Sequence, residues 1–194
     1  EDGPTHQPVE QLLMLRSLPN LDVFRPADAN EVIGSYKAIF EKESGPSAIL
    51  LGRNTVPILE ETKANEVEKG GYIALDTMKK PVGIVISSGE ELHNVLEVAK
   101  RLRVKGIDIR VVSMPNLGRF LSQDEEYIEN ILPVEVRKIV VEASSSFSWN
   151  RLIYNSKYLI TQDSFGASGK KQDVYQKFGF DVDSLEEKIE TLLK

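Results

Sequence analysis

The chain has 194 residues, 41% of them hydrophobic and 28% charged, and 24 Lys and Arg against 30 Asp and Glu give a net charge of −6. This length allows one large domain or two small ones, and the composition is typical of globular rather than disordered or fibrous proteins. The acidic balance argues against a nucleic-acid or membrane surface, which would show clustered Lys and Arg. No apolar run approaches the ~20 residues that span a bilayer.

The sequence contains no cysteine, which excludes disulfides, thiolate catalysis and Cys-ligated zinc. That composition fits a reducing compartment, and with no signal peptide at the start we expect a cytoplasmic protein. The first residue is Glu1 rather than Met, and Glu1-Asp2-Gly3-Pro4 resembles the middle of a protein. We therefore expect the chain to be part of a longer polypeptide.

The first 51 residues contain patterns for two helices and two short strands. Pro8 suits the first turn of a helix. Residues 22–25 form a strand candidate, and Asp28 or Asn30 caps a helix whose apolar residues have helical spacing. Residues 47–51 form a buried type of strand. This stretch is predicted to be part of an α/β domain rather than a complete one.

The pattern fades over residues 55–71, which are largely polar and end in Gly70-Gly71. We interpret them as an interdomain linker. Beyond them, strands are predicted at residues 72–75, 82–86, 107–112, 138–141 and 158–160. Helices are predicted at residues 90–105, 149–154, 171–178 and 184–193, with helical turns up to residue 132. This alternation predicts an α/β fold with an open, mostly parallel sheet and helices on both faces.

His6 lies in the densest polar cluster, between Gly3-Pro4 and the predicted helix start at Pro8. At a helix N-terminus, free backbone N–H groups and the helix dipole attract anions, and an imidazole there can donate to a phosphate. Asp2, on the preceding turn, is able to accept from sugar hydroxyls. The alternative is a helix-capping loop with a solvated histidine, and spacing alone does not exclude it.

Arg53 follows the predicted strand at residues 47–51, at the carboxyl end where open α/β sheets bind ligands. A guanidinium in that position can grip a phosphate through two hydrogen bonds. The alternative is a surface arginine at the start of the linker. By contrast, the turn at residues 87–90 lacks the glycine pattern of dinucleotide sites, so a helix cap is the expected role there.

The stretch from Glu1 to Glu10 resembles a signature of transketolases, the thiamine-diphosphate enzymes of sugar-phosphate metabolism. The similarity continues through Arg53 and Gly70-Gly71-Tyr72 to residues 110–115, 164–168 and 178–179. Two departures stand out, since the family usually has Ser-Arg-Gln at residues 52–54 and Gly-Ser-Glu where this chain has Ser88-Gly89-Glu90. The resemblance implies that residues 1–54 are the second half of a pyrimidine-binding domain, followed by a linker at 55–71 and the transketolase C-terminal domain at 72–194.

The resemblance also implies roles for individual residues. Asp2 corresponds to the family's aspartate that binds a hydroxyl of the donor sugar. His6 and Arg53 correspond to residues that contact the substrate phosphate. The parent enzyme would use thiamine diphosphate and Mg2+, act on sugar phosphates and form a homodimer.

The family's catalytic glutamate, its Gly-Asp-Gly metal motif and its pyrophosphate-binding histidines have no counterpart in this sequence. We therefore expect no catalytic, cofactor-binding or metal-binding residue in the chain, and no activity from the chain alone. Removing half of a domain is expected to expose apolar helix faces and to cause self-association or marginal stability.

Two alternatives to a C-terminal fragment of a transketolase remain open at this stage. One is a binding or assembly subunit of a split transketolase, and the other is a fragment of a 1-deoxyxylulose-5-phosphate synthase. The synthase shares Gly-Pro-Thr-His but usually continues with a second His where this chain has Gln7.

Overall fold

The computed structural model describes residues 3–194, so Glu1 and Asp2 lie outside the described residues. In the first segment, α1 (Gln11–Ser17) and α2 (Ala29–Phe40) alternate with β1 (Asp22–Phe24) and β2 (Ser47–Ile49). The two strands pair in parallel. Both predicted strands and the second predicted helix are therefore confirmed, with slightly shorter strands.

The first helix begins later than its sequence pattern predicts. Residues 4–6 form a turn, and α1 starts only at Gln11. Two hydrogen bonds at Val9 explain the later start. Its N–H donates locally to the Gln11 side chain at 2.9 Å, and its carbonyl accepts from the distant Ser145 N–H at 3.0 Å. The placement of His6 at a helix N-terminus was therefore wrong.

Asp28, one of the two predicted cap residues, caps α2, and its carboxylate also fixes the segment that follows β2. One oxygen accepts from the Glu31 N–H at 3.1 Å, while the other accepts from the Leu59 N–H at 2.8 Å and the Thr62 hydroxyl at 2.7 Å. A buried carboxylate is tolerated because all of these donors satisfy it.

The segment predicted as a linker is packed rather than free. It contains a 3-10 helix, Ala64–Lys69, whose residue Val67 is fully buried. Gly34 of α2 lets this helix approach, because a Cβ at that position would lie 2.3 Å from the Ala64 carbonyl oxygen. The sequence pattern missed this contact because the helix is short and largely polar.

The rest of the chain is built around a five-stranded sheet with the strand order β3-β5-β4-β6-β7. Its strands are β3 (Tyr72–Leu75), β4 (Ile84–Ser87), β5 (Arg110–Ser113), β6 (Lys138–Glu142) and β7 (Leu159–Thr161). Only β3, an edge strand, runs antiparallel to its neighbour in this described sheet. The prediction of an open, mostly parallel sheet is confirmed.

Helices cover both faces of this sheet. They are α3 (Glu91–Val104), α4 (Leu117–Leu121), α5 (Glu125–Ile131), α6 (Lys171–Phe178) and α7 (Val182–Leu193). Alternate strand residues point to opposite faces, so Val85 packs with α3 and α7 while Ile84 and Ile86 pack with Phe120 and Trp149. The fold is therefore an α/β layered architecture with two buried cores.

A helix predicted at residues 149–154 was wrong. The chain instead forms a 3-10 helix, Ser146–Trp149, and Trp149 is fully buried. Its indole N–H donates to Glu142 at 2.8 Å, so this tertiary bond replaces a regular helix. Within residues 3–194, no helix is both long enough and apolar enough to cross a bilayer.

Candidate functional site

A cleft of about 830 Å³ lies between the first segment and the five-stranded sheet. Its walls include residues that follow β1 and β2 in one sheet and β4, β6 and β7 in the other, together with residues of the first turn and of α6. The carboxyl ends of parallel strands are where open α/β sheets bind ligands. Both sheets therefore direct their ligand-binding edges toward one cleft.

His6 and Arg53 both line this cleft. His6 is exposed on the turn at residues 4–6, where its backbone N–H donates to the Gly3 carbonyl at 3.1 Å and its Nδ1 lies 2.9 Å from the Thr5 hydroxyl. Arg53 is exposed on the loop that follows β2. Of the three predicted site residues, these two share a cleft, and Asp2 lies outside the described residues.

Two contacts fix the loops that carry His6 and Arg53. Gln7, next to His6, binds the backbone of Ala167 through its side-chain amide. Asn54, next to Arg53, donates to the carboxylate of Glu90. Each loop is therefore held by a residue of the C-terminal part of the chain.

A largely buried ion pair lies in the wall of the cleft. Arg25, which follows β1, donates to Glu91 and to the carbonyl of Ser88. Burial opposes the charge of Arg25, but the nearby carboxylates of Glu91 and Glu142 outweigh it and raise its pKa. The guanidinium is therefore permanently charged and engaged by protein groups.

Glu142 at the end of β6 is a second buried charge at this junction. Arg16 donates to its two oxygens at 2.9 Å each, and Ser88, Ser144 and Trp149 donate as well. Although burial alone would raise the pKa of Glu142, the positive charges of Arg16 and Arg25 lower it to about 2. This network joins α1 and β1 to the C-terminal sheet.

The carboxylates along the described walls of the cleft are all engaged by other groups. Asp28 caps α2, Glu91 pairs with Arg25 and accepts from Tyr175 at 3.1 Å, and Glu90 pairs with Lys171 at 2.8 Å. An acid that activates a thiamine cofactor needs to reach its aminopyrimidine ring. The described lining of the cleft does not fit that role, and residues 3–194 hold no group of three or more His, Asp or Glu side chains arranged for a metal ion.

Family models match both parts of the chain. The transketolase-like C-terminal domain matches residues 70–181, and the pyrimidine-binding domain of transketolase matches residues 1–58. The chain belongs to the transketolase family. The resemblance noted in the sequence is thereby confirmed.

Relatives and solved structures agree with this assignment. The chain is 44% identical, over its whole length, to a transketolase from Nostoc sp., of which it covers 29%. A transketolase from Pichia stipitis in complex with sedoheptulose 7-phosphate is 36% identical, with a TM-score of 0.90. The match includes all of this chain and 28% of that structure. The chain therefore corresponds to the C-terminal part of transketolases, and these relatives favour that family over the synthase.

One structural neighbour differs in organisation. A split-gene transketolase, described as an inactive β4 tetramer, is 28% identical with a TM-score of 0.77. The match includes 98% of this chain and 64% of that structure. At least one relative therefore has a separate transketolase subunit that contains the counterpart of this chain.

Sequence reasoning missed Gln7, Glu90 and Lys171 as residues that shape the cleft. Each acts on a segment far away in the sequence, and no local pattern indicates such a partner. The nearest signal was the family departure at Asn54, a residue that the structure brings into hydrogen-bond contact with Glu90.

Proposed function

We propose that this chain forms the substrate-phosphate side of a transketolase active site. His6 and Arg53 hold the terminal phosphate of the sugar, and Asp2 orients the hydroxyls of the donor. The observation that carries this proposal is that His6 and Arg53, from separate loops, line the same cleft. A guanidinium and an imidazole on facing loops suit a phosphate, which accepts several charged hydrogen bonds at once.

The reaction is the transfer of a two-carbon ketol unit from a ketose phosphate to an aldose phosphate. Thiamine diphosphate, held with Mg2+, supplies the chemistry that breaks and forms the carbon–carbon bond when it is bound. The residues that hold this cofactor come from further parts of the complete enzyme. The role of this chain is to bind the sugar phosphate and orient it.

The chain consists of three parts in this proposal. Residues 1–54 form the second half of the pyrimidine-binding domain, residues 55–71 connect the domains, and residues 72–194 form the C-terminal domain. Support comes from the matched ranges 1–58 and 70–181. The complete enzyme acts as a homodimer. It works in the cytoplasm, a reducing compartment that suits a sequence without cysteine.

An exposed apolar face on α2 supports the requirement for further polypeptide. Ile33, Tyr36 and Phe40 are 63%, 47% and 82% exposed, and they follow one another along the same side of the helix. Contiguous exposed apolar residues mark an interaction surface. We infer that the remainder of the pyrimidine-binding domain packs on this face.

The test uses the assembled transketolase that contains this chain. Replacing Arg53 by Ala removes a charged contact worth ~1.5–3 kcal/mol, so kcat/KM for phosphorylated substrates should fall by about 10–100-fold. The same change at Arg151, an exposed arginine outside the cleft lining, is the matched control. An unchanged KM for the phosphorylated substrates in the Arg53 variant would reject this assignment.

The isolated chain should show no transketolase activity, even with saturating thiamine diphosphate and Mg2+. Adding the remaining transketolase polypeptide should restore turnover. Measurable turnover by the isolated chain would contradict the proposed division of labour.

A second candidate function is that of a separate subunit that pairs with an N-terminal chain. The split-gene neighbour, which the chain covers to 64%, favours this alternative. The upstream coding sequence distinguishes the two. A continuous frame with the Gly-Asp-Gly motif indicates a single polypeptide, whereas a start codon near Glu1 indicates a separate subunit.

A further inference from the structure

The loop that carries Arg53 rests against an acidic side chain of the C-terminal domain. Asn54 Nδ2 donates to the two Glu90 carboxylate oxygens at 3.2 and 3.4 Å. Gly52 lies beside the same carboxylate, because a Cβ added at Gly52 would be 3.6 Å from the Glu90 carboxyl carbon. The carboxylate of Glu90 therefore binds Asn54 and lies next to Gly52, the two sequence neighbours of Arg53.

Glu90 is held in this position from its own side of the cleft. It occupies the N-cap position of α3 but makes no capping hydrogen bond with its side chain. Its carboxylate instead accepts from Lys171 Nζ at 2.8 Å, and the side chain is only 17% exposed. Burial disfavours the charge, but the hydrogen bond and the positive charge of Lys171 outweigh it, and the pKa of Glu90 is lowered.

Lys171 also balances the charge of Glu90. An uncompensated carboxylate beside Arg53 would repel a phosphate in the cleft. With Lys171 bound, the pair is neutral overall, so Glu90 is able to hold the loop without opposing an anion. Lys171 itself lines the cleft and lies at the start of α6.

We infer that Glu90 is a positioning residue for phosphate recognition: it fixes the loop of residues 52–54 through Asn54, so that Arg53 faces the substrate phosphate, and Lys171 neutralises it. This inference rests on the proposed function of Arg53. It gives the C-terminal domain a defined part in substrate binding, because Glu90 and Lys171 lie in the range matched by the C-terminal family model.

Positioning and simple charge repulsion predict opposite results for a Glu90 variant. If Glu90 acted only as a negative charge near the site, its removal would lower the KM for phosphorylated substrates. If it positions the loop, its removal raises that KM, because Arg53 loses its fixed orientation. The sign of the change therefore identifies the role.

The experiment measures kcat and KM of the assembled transketolase with a phosphorylated ketose and with its unphosphorylated analogue. Glu90→Ala should raise KM for the phosphorylated ketose by about 3–10-fold, the value of one or two lost hydrogen bonds. The kcat, and KM for the unphosphorylated ketose, should stay unchanged. Glu90→Gln should keep KM for the phosphorylated ketose within about 2-fold of that of the unmodified enzyme, since its amide oxygen still accepts from Asn54.

Two further variants keep the inference testable if Glu90→Ala fails to fold. Asn54→Ala should reproduce the KM increase from the other side of the contact. Lys171→Ala should also raise KM for the phosphorylated ketose, most strongly at low salt, while Lys170→Ala, which removes an exposed neighbouring charge, should not.

A lowered or unchanged KM in Glu90→Ala and Asn54→Ala would overturn the inference. So would an equal increase of KM for both ketoses, which indicates general loosening. The Arg53→Ala enzyme separates this from failure of the proposed function. If Arg53→Ala discriminates between the two ketoses and the Glu90 and Asn54 variants do not, only the positioning role is wrong.

Discussion

Gln7 and Ala167 are joined by two hydrogen bonds across the mouth of the cleft. The Gln7 side-chain amide donates to the Ala167 carbonyl at 3.0 Å and accepts from the Ala167 N–H at 2.9 Å. Gly166 allows this approach, because a Cβ there would lie 1.6 Å from Gln7 Oε1. The residue next to His6 is therefore bound to the loop that precedes α6.

Replacing Gln7 by Ala should destabilise the fold by about 1–3 kcal/mol, because the two backbone groups of Ala167 lose their partners. Urea unfolding measures this loss. Gln172→Ala, at an exposed position of α6, is the matched control and should change the free energy of unfolding by less than about 0.5 kcal/mol. Equal effects of the two substitutions would contradict the role of Gln7.

Glu142 should make stability depend on pH in the acid range. Its folded-state pKa is lowered to about 2 from an ordinary 4.5, because Arg16 and Arg25 outweigh the effect of burial. A lowered pKa stabilises the fold above about pH 4.5, and this contribution is lost as pH falls from there toward about 2. The free energy of unfolding, measured from pH 7 to pH 2, should decrease through that window.

Glu142→Gln should remove this pH dependence and cost about 3–5 kcal/mol at pH 7, since Arg16 then remains buried without its counter-charge. Arg101→Ala, which removes an ion pair at the surface, should have little effect at either pH. A Glu142→Gln protein that keeps the full acid-range slope would show that other carboxyl groups cause it.

Gly70 should tolerate no side chain. It ends the 3-10 helix with φ = +88°, and a Cβ would lie 2.3 Å from the Phe120 backbone nitrogen. Gly106 has a similar φ of +83° but open space around it, so Gly106→Ala should cost only the backbone strain of about 1–2 kcal/mol. Gly70→Ala should cost clearly more, and equal melting temperatures for the two variants would contradict the steric argument.

The apolar face of α2 should cause the isolated chain to self-associate. Phe40 is 82% exposed and stacks on Tyr36 with ring centroids 6.1 Å apart. Phe40→Ser should therefore reduce the associated fraction in size-exclusion chromatography, whereas Val104→Ser, at a 90% exposed position on another helix, should not. A compact monomer of the unmodified chain would refute this prediction.

Local patterns predicted much of the architecture. The cap at Asp28, the strand at residues 72–75 and the helix at residues 171–178 follow from capping chemistry and apolar spacing, and the structure contains all three. The errors arose where distant contacts override local preference. Val9 bonds to Ser145 instead of extending α1, and Trp149 binds Glu142 instead of continuing a helix.

The site was predictable only in part, for the same reason. The position of Arg53 after a strand indicated a ligand-binding edge, and the likeness to transketolases indicated the phosphate. The contacts of Asn54 with Glu90, and of Glu90 with Lys171, join segments that are far apart in sequence. No periodicity or motif encodes such pairs, so a three-dimensional structure was needed to reveal them.

The most direct test of the proposed phosphate site is a double-mutant cycle at His6 and Arg53 in the assembled transketolase. The measurement is the ratio of kcat/KM for a phosphorylated ketose to that for its unphosphorylated analogue, in His6→Ala, Arg53→Ala and the double variant, with His93→Ala as the control histidine. Because both residues bind one phosphate, each single change should lower the ratio, by about 10–100-fold for Arg53, and the double variant should lose less than the product of the two. A ratio that stays at the value of the unmodified enzyme in all three variants would contradict the account.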